Sequence, residues 1–260
     1  MSSLPVTMPV SMIAGARIHA RLSWLRLKRG RLAWAAAAMF ALPLAYTIGL
    51  ALAGHFGRGL FDEVNELYFR FLVPFVPALL LSSAVAEEVE NKTFTFVFAR
   101  PTPRGALVLG KWLAATLPAI AIIAPSLLVA WLVAHARFPD DFAAEWPHLL
   151  RVEAAAIIGV GFYGALSVTL GSIFSRYPLI VVLIYLVVIE ELLGSAPIVL
   201  DLIAASWHLR NLAQLPLPAT QFLTLAVPAW LSAALLVALT PTLLGLCIWG
   251  VTGAEYRTDR

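Results

Sequence analysis

Charged residues and cysteines are scarce in this sequence. Asp, Glu, Lys and Arg make up 13% of the 260 residues and hydrophobic residues 61%, whereas soluble domains average roughly 25% charged and 45–50% apolar. This composition excludes an ordinary soluble domain. The single cysteine, Cys247, excludes a disulfide within the chain and a metal site built on several cysteines. At this length we expect several membrane crossings of about 20 residues each and little room for a soluble domain.

Motifs for catalysis and nucleotide binding are also lacking. Residues 105–111 have the glycine and lysine spacing of a P-loop, but Trp112 stands where a Ser or Thr hydroxyl should reach Mg²⁺. Gly159-x-Gly161 is followed by Phe162 instead of the aspartate of membrane aspartyl proteases. The histidines are scattered, and His-Glu-x-x-His does not occur. We therefore expect no enzyme activity, no metal site and no cofactor in this chain.

Six apolar runs are long enough to cross a membrane as helices. The sequence therefore predicts an all-α membrane protein whose two termini lie on the same side. Residues 1–31 form the N-terminal region, residues 32–251 the membrane domain and residues 252–260 a C-terminal tail. The predicted spans cover about residues 32–53, 69–86, 106–134, 154–174, 179–200 and 228–251.

The positions of the basic residues predict which side faces the cytoplasm. Of the 18 Lys and Arg residues, 13 fall on the side of the N-terminus and 5 on the other side. Lys and Arg are enriched in the short cytoplasmic connections of membrane proteins. We therefore expect both termini to be cytoplasmic.

A basic amphipathic helix is predicted before the first span. Ile18, Leu22 and Leu25 fall on one stripe of a helix, and basic side chains such as Arg21 fall beside them. This pattern is typical of a helix lying along the inner leaflet. It could serve only as an anchor, or as a lever that a partner moves.

The connection between the second and third spans combines charge with aromatic residues. It reads AEEVENKTFTFVFARPTPRGALVLGK. Alternation of Phe with Thr suits a strand, whereas Val89, Thr93, Phe96 and Val97 fit one helical stripe, so periodicity leaves both open. An apolar patch on a cytoplasmic connection suggests docking into the groove of a partner. The alternative is that these aromatic side chains lie in the inner membrane interface.

The same segment carries the order of residues found in one transporter family. An acidic cluster is followed by a threonine, an apolar stretch, Pro-x-x-Arg and then a lysine. This order resembles the signature of permease subunits of type 2 ATP-binding cassette exporters, although Lys92 replaces the usual glycine before the threonine. The residues that the resemblance assigns to ATPase coupling are Glu87, Glu88, Glu90, Thr93, Phe94, Phe96, Val97, Arg100, Pro101 and Arg104.

The resemblance implies a division of labour between chains. Residues 87–104 would form a coupling helix that inserts into a separate ATPase subunit, which would bind ATP and Mg²⁺. Lys111 and Trp112 would anchor the third span at the inner surface. Two permease copies, identical or related, would assemble with two ATPases around a central pathway. The resemblance also implies a bacterial plasma (inner) membrane.

Two adjacent acids stand out in the fifth span. Glu190 and Glu191 lie in the sequence VVIEELLG, and an uncompensated acid near the membrane centre costs several kcal/mol. Neighbouring residues point about 100° apart on an α-helix, so we expect at most one to face a pathway directly. In similar permeases an acid here precedes a bent outer segment, so Pro197 and residues 198–205 are predicted to form short re-entrant outer helices at an exit gate. The alternative places both acids in the outer headgroups.

Other functions remain open at this stage. A self-sufficient channel or secondary carrier would need no ATPase, and an intramembrane enzyme is the least favoured reading. The spans contain no run of positive charges that would mark an anionic cargo. Lipid, peptide, drug and ion all remain candidate substrates.

Overall fold

A computed structural model of the chain describes residues 11–29, 31–82, 103–193, 202–215 and 227–253. Within these ranges every regular element is a helix, and no strand occurs. The all-α prediction is therefore confirmed for the described part of the chain. The α- and π-helices are α1 Met12–Arg29, α2 Arg31–Leu52, α3 Arg58–Leu67, π1 Tyr68–Leu72, α4 Val73–Leu81, α5 Arg104–Ala134, α6 Phe142–Ile173, α7 Pro178–Tyr185, π2 Leu186–Leu193, α8 Ala205–Ala213 and α9 Ala229–Gly253. A short 3-10 helix, Pro139–Asp141, precedes α6.

Four continuous helices among the described residues are long and apolar enough to cross a membrane. They are Arg58–Leu81, Gly105–Ala134, Pro139–Ile173 and Ala229–Thr252. The first predicted span corresponds to α2, of which Ala41–Leu52 is a shorter apolar helix, and the fifth corresponds to α7 and π2. The chain is thus a multi-pass helical membrane protein, and the count of six spans stays a prediction.

Two of the helices begin well before the predicted spans. The second predicted span begins at residue 69, but its helix begins at Arg58, and the fourth begins at residue 154, but its helix begins at Phe142. Hydropathy ends a span where charged residues begin. Here the helix continues because the charged side chains of the extensions pair with one another, as Arg58 does with Glu145 at 3.8 Å.

Helix α6 lies at the centre of the bundle and packs against α4, α5, α8 and α9. Small residues allow this close packing. A Cβ atom added at Gly171 would lie 2.0 Å from the backbone oxygen of Ser82, so only glycine fits where α6 passes the end of α4. The core around α6 is otherwise built from apolar side chains such as Val160 and Leu127.

Helix α1 crosses the beginning of α5. Gly15 and Ala16 of α1 are buried, and a Cβ atom added at Gly110 of α5 would lie 2.7 Å from the Ala16 carbonyl oxygen. The predicted apolar stripe of α1 does not make this contact. Ile18 and Leu22 are about half exposed, so α1 packs on the protein through small residues and leaves its apolar stripe free for the membrane.

Candidate functional site

A stripe of four charged residues runs along one face of the Arg58–Leu81 helix. Arg58, Asp62, Glu66 and Arg70 follow one another at intervals of four residues, so they lie on one side of the helix. We call them the charged stripe. At 1.5 Å per residue the stripe is about 18 Å long, and it reaches from the start of this candidate span to its middle.

The first half of the charged stripe pairs with α6. The Asp62 carboxylate is hydrogen-bonded to the buried imidazole of His148, whose Nε2 lies 2.8 Å from it. Arg58 lies 3.7 Å from Asp62 and 3.8 Å from Glu145. These pairs join the beginnings of two candidate spans.

The second half of the stripe pairs with elements that come later in the chain. Arg210 of α8 donates a 2.6 Å hydrogen bond to the Glu66 carboxylate. Arg70 donates from Nε to both carboxylate oxygens of Glu191, at 2.9 and 3.0 Å, and its Nη2 lies 2.5 Å from one of them. Planar, multiply bonded guanidinium–carboxylate pairs of this kind are stronger and more directional than ordinary hydrogen bonds.

Both residues of the Arg70–Glu191 pair lie in π-helical turns. Arg70 belongs to π1 and Glu191 to π2. A π turn closes i→i+5 hydrogen bonds and contains one residue more than an α turn, and such turns are rare and frequent at functional sites. Here two of them face each other across the same ion pair.

Glu190 has a different set of partners from its neighbour. Its side chain is buried, and its carboxylate accepts hydrogen bonds from the backbone N–H groups of Ala205 at 3.3 Å and Ser206 at 2.9 Å. The Tyr185 hydroxyl donates to the same carboxylate at 3.2 Å. The positive end of a helix favours a negative group there. Glu190 therefore holds the first turn of α8 against π2.

These contacts surround one cavity. Its volume is about 250 Å³, and it lies among the α3–π1–α4 helix, α6, π2 and α8. Both adjacent acids, Glu190 and Glu191, line it. The expectation that at most one of them faces a transport pathway stays a prediction. The lining residues are Glu66, Phe69, Arg70, Pro74, Tyr163, Glu190, Glu191, Ser206, Trp207 and Arg210.

Lipid is a poor neighbour for this face of the molecule. The side chains of Arg70, Glu191 and Glu66 are 47%, 34% and 42% exposed, and charged groups inside a membrane normally face water or other protein groups. Within the described ranges no three His, Cys, Asp or Glu side chains lie close enough together to hold a metal ion. The cavity offers charge and hydrogen bonds to a small ligand.

Comparison with known families identifies the kind of protein that holds this cavity. The family model described as "ABC-2 family transporter protein" matches residues 6–250 of the chain. The chain belongs to this family. It is an ABC-2 type permease, a membrane transport protein with several apolar helices of membrane-spanning length. A search of curated proteins finds no match.

Most of the residues assigned to ATPase coupling in this ABC-2 permease lie outside the described residues. Of them only Arg104 is described, as the first residue of α5. The two predicted anchors lie nearby on α5. Lys111 is only 6% exposed, and Trp112 donates its indole N–H to the Gly161 carbonyl oxygen at 3.1 Å. Their anchoring role stays a prediction, and the structure adds that both side chains contact the protein.

The connection between the fifth and sixth predicted spans contains one described α-helix. Of the residues predicted to form re-entrant helices, Pro197 and residues 198–201 lie outside the described ranges, and residues 202–205 lead into α8, which begins at Ala205. Helix α8 is short and polar on one side, and it carries Arg210 toward the cavity. Its re-entrant character stays a prediction.

The sequence analysis missed the charged stripe of the ABC-2 permease. The signal was available, because four charged residues at intervals of four predict one helical face. Hydropathy placed Arg58, Asp62 and Glu66 in a connection, so their spacing was not read as helical. Their partners His148 and Arg210 are more than 80 residues away in sequence, and only the fold brings them together.

Proposed function

We propose that this chain is the membrane-spanning subunit of an ATP-binding cassette exporter. It forms the translocation pathway as a dimer with a second permease copy, identical or related, and a separate ATPase docks on residues 87–104. ATP and Mg²⁺ are bound by that ATPase, and this chain supplies no cofactor site. The complex lies in a bacterial plasma membrane, and both termini of the permease are cytoplasmic.

The charged stripe is the observation that carries this proposal beyond family membership. It places partly exposed charges halfway along a candidate span. Since lipid does not solvate such charges, this face requires an aqueous path or the matching face of another permease. Two permeases that enclose a pathway would supply either of these.

The contacts of α5 support a mechanical link from the ATPase to the pathway. Arg104 ends the proposed coupling segment and begins α5. Two turns further on, Trp112 bonds to the Gly161 carbonyl of α6, and Tyr163 of α6 lines the cavity. A displacement of the coupling segment would therefore reach the cavity through the start of α5 and one partly buried hydrogen bond.

The first test is a pull-down of the tagged permease from gently solubilised native membranes. We expect an ATP-binding cassette protein to elute in stoichiometric amount with ATP hydrolysis in the eluate. Elution of the permease alone under several mild detergents would contradict the proposal. Transport by the purified chain alone would then favour a channel or secondary carrier.

A substitution tests the docking segment itself. Phe96→Asp places a charge in the aromatic patch and should detach the ATPase without affecting membrane insertion. Phe138→Asp is the matched control, because Phe138 is an exposed aromatic residue in the connection between α5 and α6, on the predicted outer side. If the Phe96 variant retains as much ATPase as the control, the coupling assignment is wrong.

A further inference from the structure

The charges around the cavity balance one another in the structure. Arg70 pairs with Glu191, and Arg210 pairs with Glu66. The fifth charge, on Glu190, is compensated by the backbone N–H groups at the start of α8 and by the Tyr185 hydroxyl. The charges around the cavity are therefore compensated without a ligand, as charged groups removed in part from water require.

The two ion pairs can nevertheless exchange partners with a ligand. The Arg70 and Glu191 side chains are 47% and 34% exposed, so both remain accessible while they are paired. A ligand with a single charge would bind one partner and leave the other without its counter-charge. A ligand with one anionic and one cationic group would replace both halves of the pair, and the balance of charge would be preserved.

Aromatic side chains form part of the cavity wall. Phe69, Tyr163 and Trp207 line it but are 0%, 1% and 5% exposed. The accessible charges of the lining are therefore those of side chains such as Arg70 and Glu191.

We propose that this cavity binds a small zwitterion by exchange of the Arg70–Glu191 ion pair. The anionic group of the ligand would take Arg70, and its cationic group would take Glu191. The volume of about 250 Å³ is below the usual range of drug-sized pockets, so the zwitterion is either a small free molecule or the headgroup of a lipid. The further step, that this site holds the cargo of an exporter, rests on the proposed function.

The test uses ligand binding to the purified full-length permease in a non-ionic detergent without ATPase. Glycine betaine is the zwitterionic probe, and choline and acetate supply its cationic and anionic halves separately. We expect betaine to raise the melting temperature in a saturable manner, and neither half to do so at the same concentration. The proposal would be overturned if neither betaine nor short-chain phosphatidylcholine raised the melting temperature. It would also be overturned if choline or acetate alone raised it as much as betaine does.

A second arm distinguishes a free zwitterion from a lipid headgroup. Short-chain phosphatidylcholine below its micelle concentration carries the same pair of charges on a lipid. A shift with either compound that depends on Arg70 and Glu191 supports the zwitterion site. The compound that binds more tightly identifies the source, and a shift that survives loss of both charges overturns the assignment of the site.

Variants connect the binding to the ion pair. Arg70→Gln and Glu191→Gln should each weaken the apparent affinity at least roughly tenfold, the usual size for loss of a charged hydrogen-bonding partner. Exchange of the two residues, Arg70→Glu with Glu191→Arg, keeps the pair and guards against misfolding of the single variants. This double variant should bind more tightly than either single variant. Equal affinities in all four proteins would refute the exchange.

A matched control lies outside the cavity. Arg151 donates a 2.8 Å hydrogen bond to Gln214 in an exposed pair, and Arg151→Gln should leave betaine binding unchanged. Because no ATPase is present, the outcome is independent of the pull-down described above. A permease that binds betaine but captures no ATPase would support the site and contradict the exporter complex, and the reverse result would contradict only the site.

Discussion

Two regions of this permease are held together by opposite means. Where α1 crosses α5, small residues bring backbone atoms into direct contact around Gly110. Around the cavity, side chains such as Arg70 and Glu191 join helices through ion pairs at partly exposed positions. Backbone contact has one geometry and resists displacement, because packed interiors do not deform continuously. Ion pairs can exchange one partner for another, so the cavity is the part of the molecule suited to change.

The crossing of α1 and α5 should be the more sensitive of the two regions. Gly110→Ala would place a Cβ atom 2.6 Å from the His19 Cβ and 2.7 Å from the Ala16 carbonyl oxygen. We expect a loss of about 3 kcal/mol in unfolding free energy, at the upper end of overpacking effects. Thermal unfolding of the purified protein measures it. Gly245→Ala is the control because no atom lies within 4 Å of its added Cβ, and equal melting of the two variants would contradict the prediction.

Removal of the ion pair should have a smaller effect on stability. Arg70→Gln leaves Glu191 without its counter-charge, but both side chains are partly solvated, so we expect a loss of about 1–2 kcal/mol. Exchange of the two residues should restore part of it. Chemical or thermal unfolding compares the three proteins, and a Gln variant less stable than Gly110→Ala would reverse the order proposed here.

Loss of the Glu190 carboxylate should have the smallest and most local effect. Glu190→Ala removes the acceptor for the first N–H groups of α8, which is worth about 1 kcal/mol. Hydrogen exchange should become faster in Ala205–Ala213 and stay unchanged in α5. Glu190→Gln retains an acceptor oxygen, so its hydrogen-exchange rate in α8 should lie between those of the wild type and the Glu190→Ala variant. Unchanged exchange in α8 would show that the carboxylate does not hold this helix.

Much of the fold could be predicted from the sequence, because long apolar runs and basic connections respond directly to the membrane. The helices α5 and α9 begin and end within a few residues of the bounds predicted for the third and sixth apolar runs. The starts of α3 and α6, which precede the second and fourth predicted spans, were not predictable from hydropathy. Asp62 and Glu145 lie inside these helices, and their charges are paired across the fold.

The site was only partly predictable. The cost of an acid in a span drew attention to Glu190 and Glu191, and both line the cavity. Their separate partners could not be inferred, since Arg70 and the start of α8 are distant in sequence. Periodicity also assumes 3.6 residues per turn, so it gives the wrong angle between neighbours wherever a π turn occurs.

The two π turns also have a consequence for how this protein can vary among relatives. Each fits one residue more than an α turn into a single helical turn, so it can absorb a single-residue insertion without rotating the residues that follow. In an uninterrupted α-helix the same insertion would rotate all later residues by about 100°. Two homologous sequences that differ by one residue before Val73 or within Leu186–Leu193 could therefore present the same face to the cavity, one through a π turn and the other through an α turn.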